Sequence, residues 1–227
     1  MSIVVTGASR GIGKAIAMHL HEQGDDVVGV ARTVSGDLPF QMISCDVSDP
    51  ATINYLSRTI KRGGVKLEGL INVAGIAAMN LALTTPASVS SQVIRVNLLG
   101  TIFPCQALLP LIIRAGGGFV INFSSIAVHL GLAGESSYVA SKAGVEAYSR
   151  VLAREVAGFG IRVNCIAPGP VETDLLRGVS ERQKKDIVDR QIIKRQFSTE
   201  DICALVDMLR SEASRSITGQ VLHVGGV

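Results

Sequence analysis

Tryptophan is absent from this chain, and aromatic residues make up only 4% of its 227 positions. No arginine-aromatic interleaving occurs, so the stacking surfaces that single-stranded nucleic acid needs are missing. Charge is also scarce, at 18% Asp, Glu, Lys and Arg with a formal net of +3 and no basic stripe. That argues against a nucleic-acid partner, and 47% hydrophobic content argues against disorder. The four cysteines, Cys45, Cys105, Cys165 and Cys203, are far apart and form no C-x-x-C pair. A metal site or disulfide framework is therefore not expected, and a reducing, cytoplasmic compartment is. The longest apolar stretch, near Ala107 to Ile113, contains Pro110 and ends at Arg114, which is too short to span a membrane. The first strand candidate begins almost at Met1, leaving no room for a secretory signal. There is no internal repeat, low-complexity tail or linker, so one soluble domain over 1–227 is expected.

Glycine, by contrast, is plentiful, with 24 residues placed at expected element ends. The densest group is Thr6-Gly7-Ala8-Ser9-Arg10-Gly11-Ile12-Gly13, between the apolar run Ile3–Val5 and a helical pattern from Lys14 to Leu20. Strand, glycine-rich turn and helix start follow one another in the order a dinucleotide site requires. Glycines let main-chain amides approach a pyrophosphate, and the helix N-terminus adds the positive end of its dipole. The spacing is G-x-x-x-G-x-G rather than the common G-x-G-x-x-G.

Short β-branched runs alternate with longer helical patterns along the rest of the chain. Strands are expected at Ile3–Val5, Asp26–Val30, Gln41–Cys45, Gly69–Asn72, Gly118–Phe123, Ile161–Ile166 and Val221–Val224. Helices are expected at Ile12–Gln23, Pro50–Arg62, Ser88–Ala115, Glu135–Ala157 and Thr199–Ser211, with a broken region over Ser180–Lys194. Ser48-Asp49-Pro50 and Thr199-Glu200-Asp201 carry helix-start chemistry. Apolar strands separated by helices predict an α/β fold. It would be a doubly wound, Rossmann-type sheet of about seven parallel strands with helices on both faces.

Chemistry concentrates near residue 140. In Tyr138-Val139-Ala140-Ser141-Lys142 a phenol and an ammonium lie one helical turn apart on the same face. A free tyrosine has a pKa of about 10 and is a poor acid-base catalyst at neutral pH. A cation held close favours the phenolate and is expected to lower that value. The pair follows the strand Phe119–Phe123 and its polar exit, Ser124-Ser125. That is the carboxyl edge of a central strand, where open α/β sheets bind ligands.

These residues together resemble the single-domain short-chain dehydrogenase/reductases. The resemblance runs from Ile3 to the C-terminus through Thr6–Gly13, Cys45-Asp46-Val47, Asn72-Val73-Ala74-Gly75, Val96-Asn97, Ser125, Tyr138/Lys142 and Pro168-Gly169-Pro170-Val171-Glu172-Thr173. Valine at the second position of Asn72-Val73-Ala74-Gly75 departs from the family's usual N-N-A-G. The resemblance implies a catalytic set of Asn97, Ser125, Tyr138 and Lys142. Tyr138 would exchange a proton with the carbonyl oxygen, and Ser125 would hydrogen-bond that oxygen. Lys142 would lower the tyrosine pKa and bind the nicotinamide ribose, and Asn97 would hold a relaying water.

The coenzyme would sit on Gly7, Ser9, Arg10, Gly11, Ile12, Gly13, Arg32, Asp46, Val47, Asn72, Ala74, Gly75, Tyr138, Lys142, Pro168, Gly169, Val171 and Thr173. Asp46 would accept from the adenine amino group, and Thr173 with the backbone near Val171 would hold the carboxamide. No acid follows the strand Val27–Val30, where one would bind a ribose 2′-hydroxyl. Arg32 stands there instead, and with Arg10 it could clamp a 2′-phosphate, so NADP (NADPH) is the expected coenzyme.

From Arg177 to Arg195 there are seven Lys/Arg and three Asp/Glu, a net of +4, within the segment about 172–197 where the family carries its lid. Such a lid could attract an anionic substrate or an acidic carrier protein; a solvated helix face is an equal reading. Within the family the pattern is most similar to 3-oxoacyl-[acyl-carrier-protein] reductases. That implies a small-molecule or carrier-bound substrate and a homotetramer or homodimer, with neither nucleic acid nor membrane as partner. His223-Val224-Gly225-Gly226 lacks the aspartate usual before the paired glycines. Two other readings stay open here: an oxidoreductase for a small ketone, sugar or steroid-like alcohol, and a non-catalytic dinucleotide sensor.

Overall fold

A computed structural model describes residues 1–34, 36–171 and 180–227. The strands are β1 (Ser2–Thr6), β2 (Asp26–Ala31), β3 (Gln41–Ser44), β4 (Leu67–Asn72), β5 (Gly118–Phe123), β6 (Ile161–Ala167) and β7 (Val221–His223). The main helices are α1 (Gly11–Glu22), α2 (Pro50–Arg62), α3 (Ala87–Ile94), α4 (Gly100–Ala115), α5 (Ala127–Leu130), α6 (Ser136–Val156), α7 (Glu181–Arg190) and α8 (Thr199–Arg210). The strands form one parallel sheet in the order β3-β2-β1-β4-β5-β6-β7. This is the doubly wound Rossmann-type architecture expected from the sequence.

Alternation along each strand explains the two layers. Val4, Val28, Val30, Leu70, Val120 and Val163 face one way and pack with α2, α4 and α6 residues such as Ile53, Leu108 and Leu152. Ile3, Val5, Val27, Ile71 and Ile121 face the other way and pack with Ile16 and Leu20 of α1 and Ile202 and Val206 of α8. Local chemistry starts the helices where it should. Asp49 Oδ1 accepts from Ala51 N at 2.9 Å ahead of Pro50, while Ser180 with Gln183 and Ser198 with Asp201 form capping boxes.

Two expectations need correction. The helix expected over Ser88–Ala115 is interrupted by a wider π-helical turn at Arg95–Leu99, a feature that often marks functional sites. Asn97 sits in that turn, and its carbonyl accepts from Thr101 Oγ1 at 2.9 Å. The helical run Ala87–Ala115 is also 29 residues long and contains an 18-residue window with a mean hydropathy of 1.8, so it is long and apolar enough to cross a membrane by length and composition alone. The shorter span read from the sequence, near Ala107 to Ile113, is part of this run, and Pro104 and Pro110 both lie inside α4. Its buried side, Cys105, Leu108, Leu109 and Ile112, belongs to the apolar cluster under β4, the position of a core helix.

The sheet order reverses between β1 and β4, since the chain winds outward from β1 in both directions. The register aligns Thr6 with Val30 and Asn72, Asn72 with Asn122, and Phe123 with Ile166. The carboxyl ends therefore form one edge with a crevice at the switch point.

Candidate active site

Hydrogen bonds stitch the turn after β1 to its neighbours. Gly7 N donates to Val30 O at 2.8 Å, while Thr6 Oγ1 accepts from Val73 N and Ala74 N at 3.1 and 3.2 Å. Gly7 and Gly11 take φ values of 73° and 55°, which other residues adopt at a cost. A β-carbon on Gly13 would lie 2.3 Å from the carbonyl oxygen of Gly7, and one on Gly7 would lie 2.9 Å from Ala74 N. Helix α1 has no side-chain cap and no acid in its first turn, so its leading N–H groups remain available. They open on a cleft lined by Gly7, Ser9–Gly13, Val30–Arg32, Cys45–Val47 and Val73–Ile76.

Arg10 and Arg32 both line this cleft, are exposed, and form no ion pair among the described residues. Asp46 lines it too. Burial pushes its carboxyl up, but the N–H and hydroxyl of Ser48, with Arg32 and Arg95 nearby, outweigh that and hold it below the usual range. Asn72 is placed differently. It lies beneath the cleft, 2% exposed, donating to Asn122 Oδ1 at 2.9 Å and to Cys105 Sγ at 3.3 Å.

The cleft continues into a second chamber over the ends of β5 and β6, sharing Ile12, Val73, Gly75 and Ile76 with the first. Ser125, Tyr138, Lys142, Pro168, Gly169 and Val171 all line it. Ser125 follows β5, and its Oγ accepts from Ala127 N at 3.2 Å. Lys142 Nζ donates to Phe123 O at 2.8 Å and stands 5.9 Å from the centroid of the Tyr138 ring. A β-carbon on Gly75 would meet Asn97 Oδ1 at 3.3 Å and Lys142 Nζ at 3.4 Å, so Asn97 and Lys142 converge beside that glycine. Asn97 itself is held by three bonds that leave one acceptor site: Oδ1 accepts from Ile76 N at 2.8 Å, while Nδ2 donates to Ile76 O and Ser141 Oγ, both at 3.0 Å. The main chain beyond β6 is anchored by Ile126 N to Pro168 O at 3.0 Å and by the Val171–Phe197 bridge. Thr173 and the first part of the expected lid, 172–179, lie outside the described residues.

One electrostatic expectation fails. Tyr138 is pushed up to about 12, chiefly by burial, with the Ser125 hydroxyl pulling it down and Glu135 pushing it further up. Lys142 does not stabilise a phenolate here, because its ammonium is turned to the Phe123 carbonyl. Burial also pulls Lys142 down to about 8, with Cys165 opposing. Each group is thus moved toward its neutral form, as desolvation requires when the partner charge is not in contact.

Sequence reasoning missed the apolar wall of the second chamber, built from residues such as Ile76, Met79, Leu132 and Ile187, and the carboxylate of Glu135 set into it. The wall residues come from separate segments, so no spacing could reveal them. Glu135, three positions before Tyr138, was within reach.

Residues 7–226 match the family profile described as Enoyl-(Acyl carrier protein) reductase. The chain belongs to the short-chain dehydrogenase/reductase family. It is 34% identical to the 3-oxoacyl-[acyl-carrier-protein] reductase of Escherichia coli (strain K12), over 98% of this chain and 95% of that protein. The corresponding reductase of Staphylococcus epidermidis is 32% identical over 99% of this chain and 97% of its own length. Among solved structures, ligand-free aldohexose dehydrogenase from Thermoplasma acidophilum matches with a TM-score of 0.90 at 26% identity, covering 99% of this chain and 92% of that one. The protein is thus an enzyme, an oxidoreductase of the short-chain type.

Proposed function

We propose that this enzyme reduces a carbonyl to an alcohol with NADPH, its best substrate being a 3-oxoacyl thioester on acyl-carrier protein in fatty-acid synthesis. The observation that carries the reading is the convergence of Ser125, Tyr138 and Lys142 on the chamber that continues the glycine-floored cleft. The residues fit a nicotinamide dinucleotide: β-carbons at Gly7 or Gly13 would collide with the backbone that shapes the cradle, one at Gly75 would crowd Asn97 and Lys142, and α1 offers uncapped N–H groups. When bound, the coenzyme supplies hydride.

The chain's own residues handle the proton. A phenol pushed up to about 12 stays protonated at neutral pH, so Tyr138 is poised to donate to the carbonyl oxygen, the direction reduction needs. The Ser125 hydroxyl donates to the same oxygen and stabilises its growing negative charge. Lys142 is buried beside them as a proton source of intermediate pKa. Asn97 acts mainly as a positioning residue, fixing the backbone of Ile76 next to Lys142. A relaying water would use the second lone pair of Asn97 Oδ1, which lies beside Gly75 and Lys142.

Arg10 and Arg32, neither in a direct ion pair among the described residues although Arg32 lies near Asp46, support the preference for the 2′-phosphate. Support for a carrier protein is narrower than the net charge of 177–195 implied. Lys184 pairs with Glu181 at 2.7 Å and Arg195 with Asp201 at 2.7 Å, while Arg190 reaches Leu130 O at 2.6 Å. The carboxylate set into the substrate chamber favours a second reading, a polyhydroxy or small ketone substrate. Cytoplasmic location and assembly as a homotetramer or homodimer belong to this same proposal.

Replacing Tyr138 with Phe should cut NADPH-dependent carbonyl reduction by roughly 10²–10⁴-fold, far more than it weakens coenzyme binding. Turnover that survives with little loss would remove the catalytic assignment. Comparing acetoacetyl-carrier protein with small ketones decides the substrate. Equal rates on small ketones, without a salt-sensitive gain from the carrier, would reject the carrier reading.

A further inference from the structure

Glu135 is the single carboxylate among the described residues lining the substrate chamber. The same chamber carries an apolar wall of Ile76, Met79, Ile126, Leu132 and Ile187, and the polar side chains of Ser125, Tyr138 and Lys142. Its main chain is held firmly. Glu135 N donates to Leu132 O at 3.2 Å and its carbonyl accepts from Val139 N at 2.7 Å, after a turn in which Gly131 and Gly134 take φ values of 57° and 87°. The loop across the chamber is tied to that turn by Asn80 N to Gly134 O at 2.9 Å. The side chain is not engaged in the same way. Glu135 stands at the N-cap of α6 yet makes no capping bond, because its carboxyl is one methylene too long for the usual cap geometry. Burial alone raises its pKa; no described cation or donor pulls it back. Its charge also reaches Tyr138. A half-buried carboxylate without a partner among the described residues, lining the space a substrate would fill, is costly unless the ligand supplies the missing donor.

We propose that Glu135 selects the substrate: its carboxylate accepts a hydrogen bond from a hydroxyl or amide N–H carried near the reacting carbonyl, and it turns away a substrate that bears a carboxylate there. The inference rests on the carbonyl-reductase reading. It narrows that reading to 3-oxo compounds whose acid is masked, as in a thioester or ester, and to hydroxy ketones. Free 3-oxo acids are refused. An amide N–H would come from the linker of a thioester, a hydroxyl from a sugar-like substrate.

The test compares kcat/KM for four ketones in wild type, Glu135→Gln and Glu135→Leu. The ketones are ethyl acetoacetate, free acetoacetate, the acetoacetyl thioester of N-acetylcysteamine and hydroxyacetone, with butanone as the donor-free reference. The preference for ethyl acetoacetate over acetoacetate should shrink by about tenfold in both variants, since a like charge close by is removed. Glu135→Leu should also lose about tenfold on whichever donor-bearing ketone the wild type favours, separating the amide from the hydroxyl source. Preferences within twofold of wild type in both variants would overturn the proposal.

A binding measurement stands apart from turnover. Ligand-observed NMR would compare acetoacetate with its ethyl ester on Tyr138→Phe and on Tyr138→Phe/Glu135→Gln. Acetoacetate binding gained only in the double variant supports the assignment, even if no ketone is ever reduced. Equal binding in both sinks it. Absence of ketone reduction in wild type would refute the reductase reading alone.

Discussion

The two halves of the cleft are built from opposite materials. Around the turn after β1, main-chain amides, glycines and two exposed arginines form the wall, and shape is fixed by backbone against backbone. Around α6, the wall is apolar, and Tyr138, Lys142 and Glu135 are ionisable groups whose pKa values are all displaced by burial. Under the proposed function, the first half would recognise its ligand by fit and the second would work by protonation state. Substitutions in one half should therefore change affinity at all pH values, whereas those in the other should change how activity and stability respond to pH.

The largest departure is expected at Gly13. An added methyl would sit 2.3 Å from the Gly7 carbonyl oxygen and 2.7 Å from its carbon, both backbone atoms that cannot swing aside. Overpacking of this kind costs about 1–3 kcal/mol of folding stability, and relieving it shifts the turn that shapes the cradle, so Gly13→Ala should both destabilise the fold and weaken coenzyme binding. The loss should be uniform from pH 6 to 9, measured by fluorescence of bound coenzyme. A pH-dependent loss would mean that the turn, too, works through titration.

At Lys142 the comparison is tested from the other side. Its folded pKa of about 8 lies below the ordinary 10.5, so between those values the unfolded chain binds more protons. Stability contributed by this site therefore rises with pH across that window, and burial of the ammonium costs most below pH 8. Tyr138, pushed from 10 to about 12, has the opposite sign and removes stability above pH 10. Cys105 and Cys165, pushed from 9 to about 12, do the same above pH 9. The Tyr138 and Cys105 contributions are shared by wild type and Lys142→Met, so the difference between the two proteins reads the lysine together with its coupling to Cys165. That difference should shift by about 1–3 kcal/mol in favour of wild type between pH 8 and 10.5, read by denaturant unfolding at each pH. A flat difference would show that the ammonium is solvated.

The contrast also explains which parts were legible in the sequence. Glycine spacing, strand runs and helix caps are local, and the turn at Thr6–Gly13 with its stitching to β2 and β4 follows from them. Tyr138 and Lys142 were found because one helix carries both. What could not be read was the sign of the electrostatics. A one-turn separation places Lys142 near Tyr138, but only the fold shows the ammonium turned to the carbonyl of Phe123. Likewise Asn72 belongs to a recognisable motif, yet its amide points into the sheet toward Asn122, a partner 50 residues away. The π turn at Arg95–Leu99 had no sequence signature in an otherwise regular helical pattern.

The smallest expected effect is at Arg32. Exposed ion pairs contribute little, typically about 0.2–1 kcal/mol, and Arg32 is exposed. A phosphate dianion held by two guanidinium groups does better than a single pair, because each bond is charge-assisted and the forks match the oxygens. Arg32→Ala should therefore reduce the NADPH-over-NADH preference by about tenfold, with Arg10 retaining part of it. The decisive readout is the ratio of kcat/KM for the two coenzymes at low and high salt. The loss should fall mainly on NADPH, and it should shrink at 0.5 M salt because screening has already weakened the contact. If the preference is unchanged, the arginines are solvated rim charges. The coenzyme half would then owe its selectivity to the backbone alone, a sharper version of the contrast with the ionisable half.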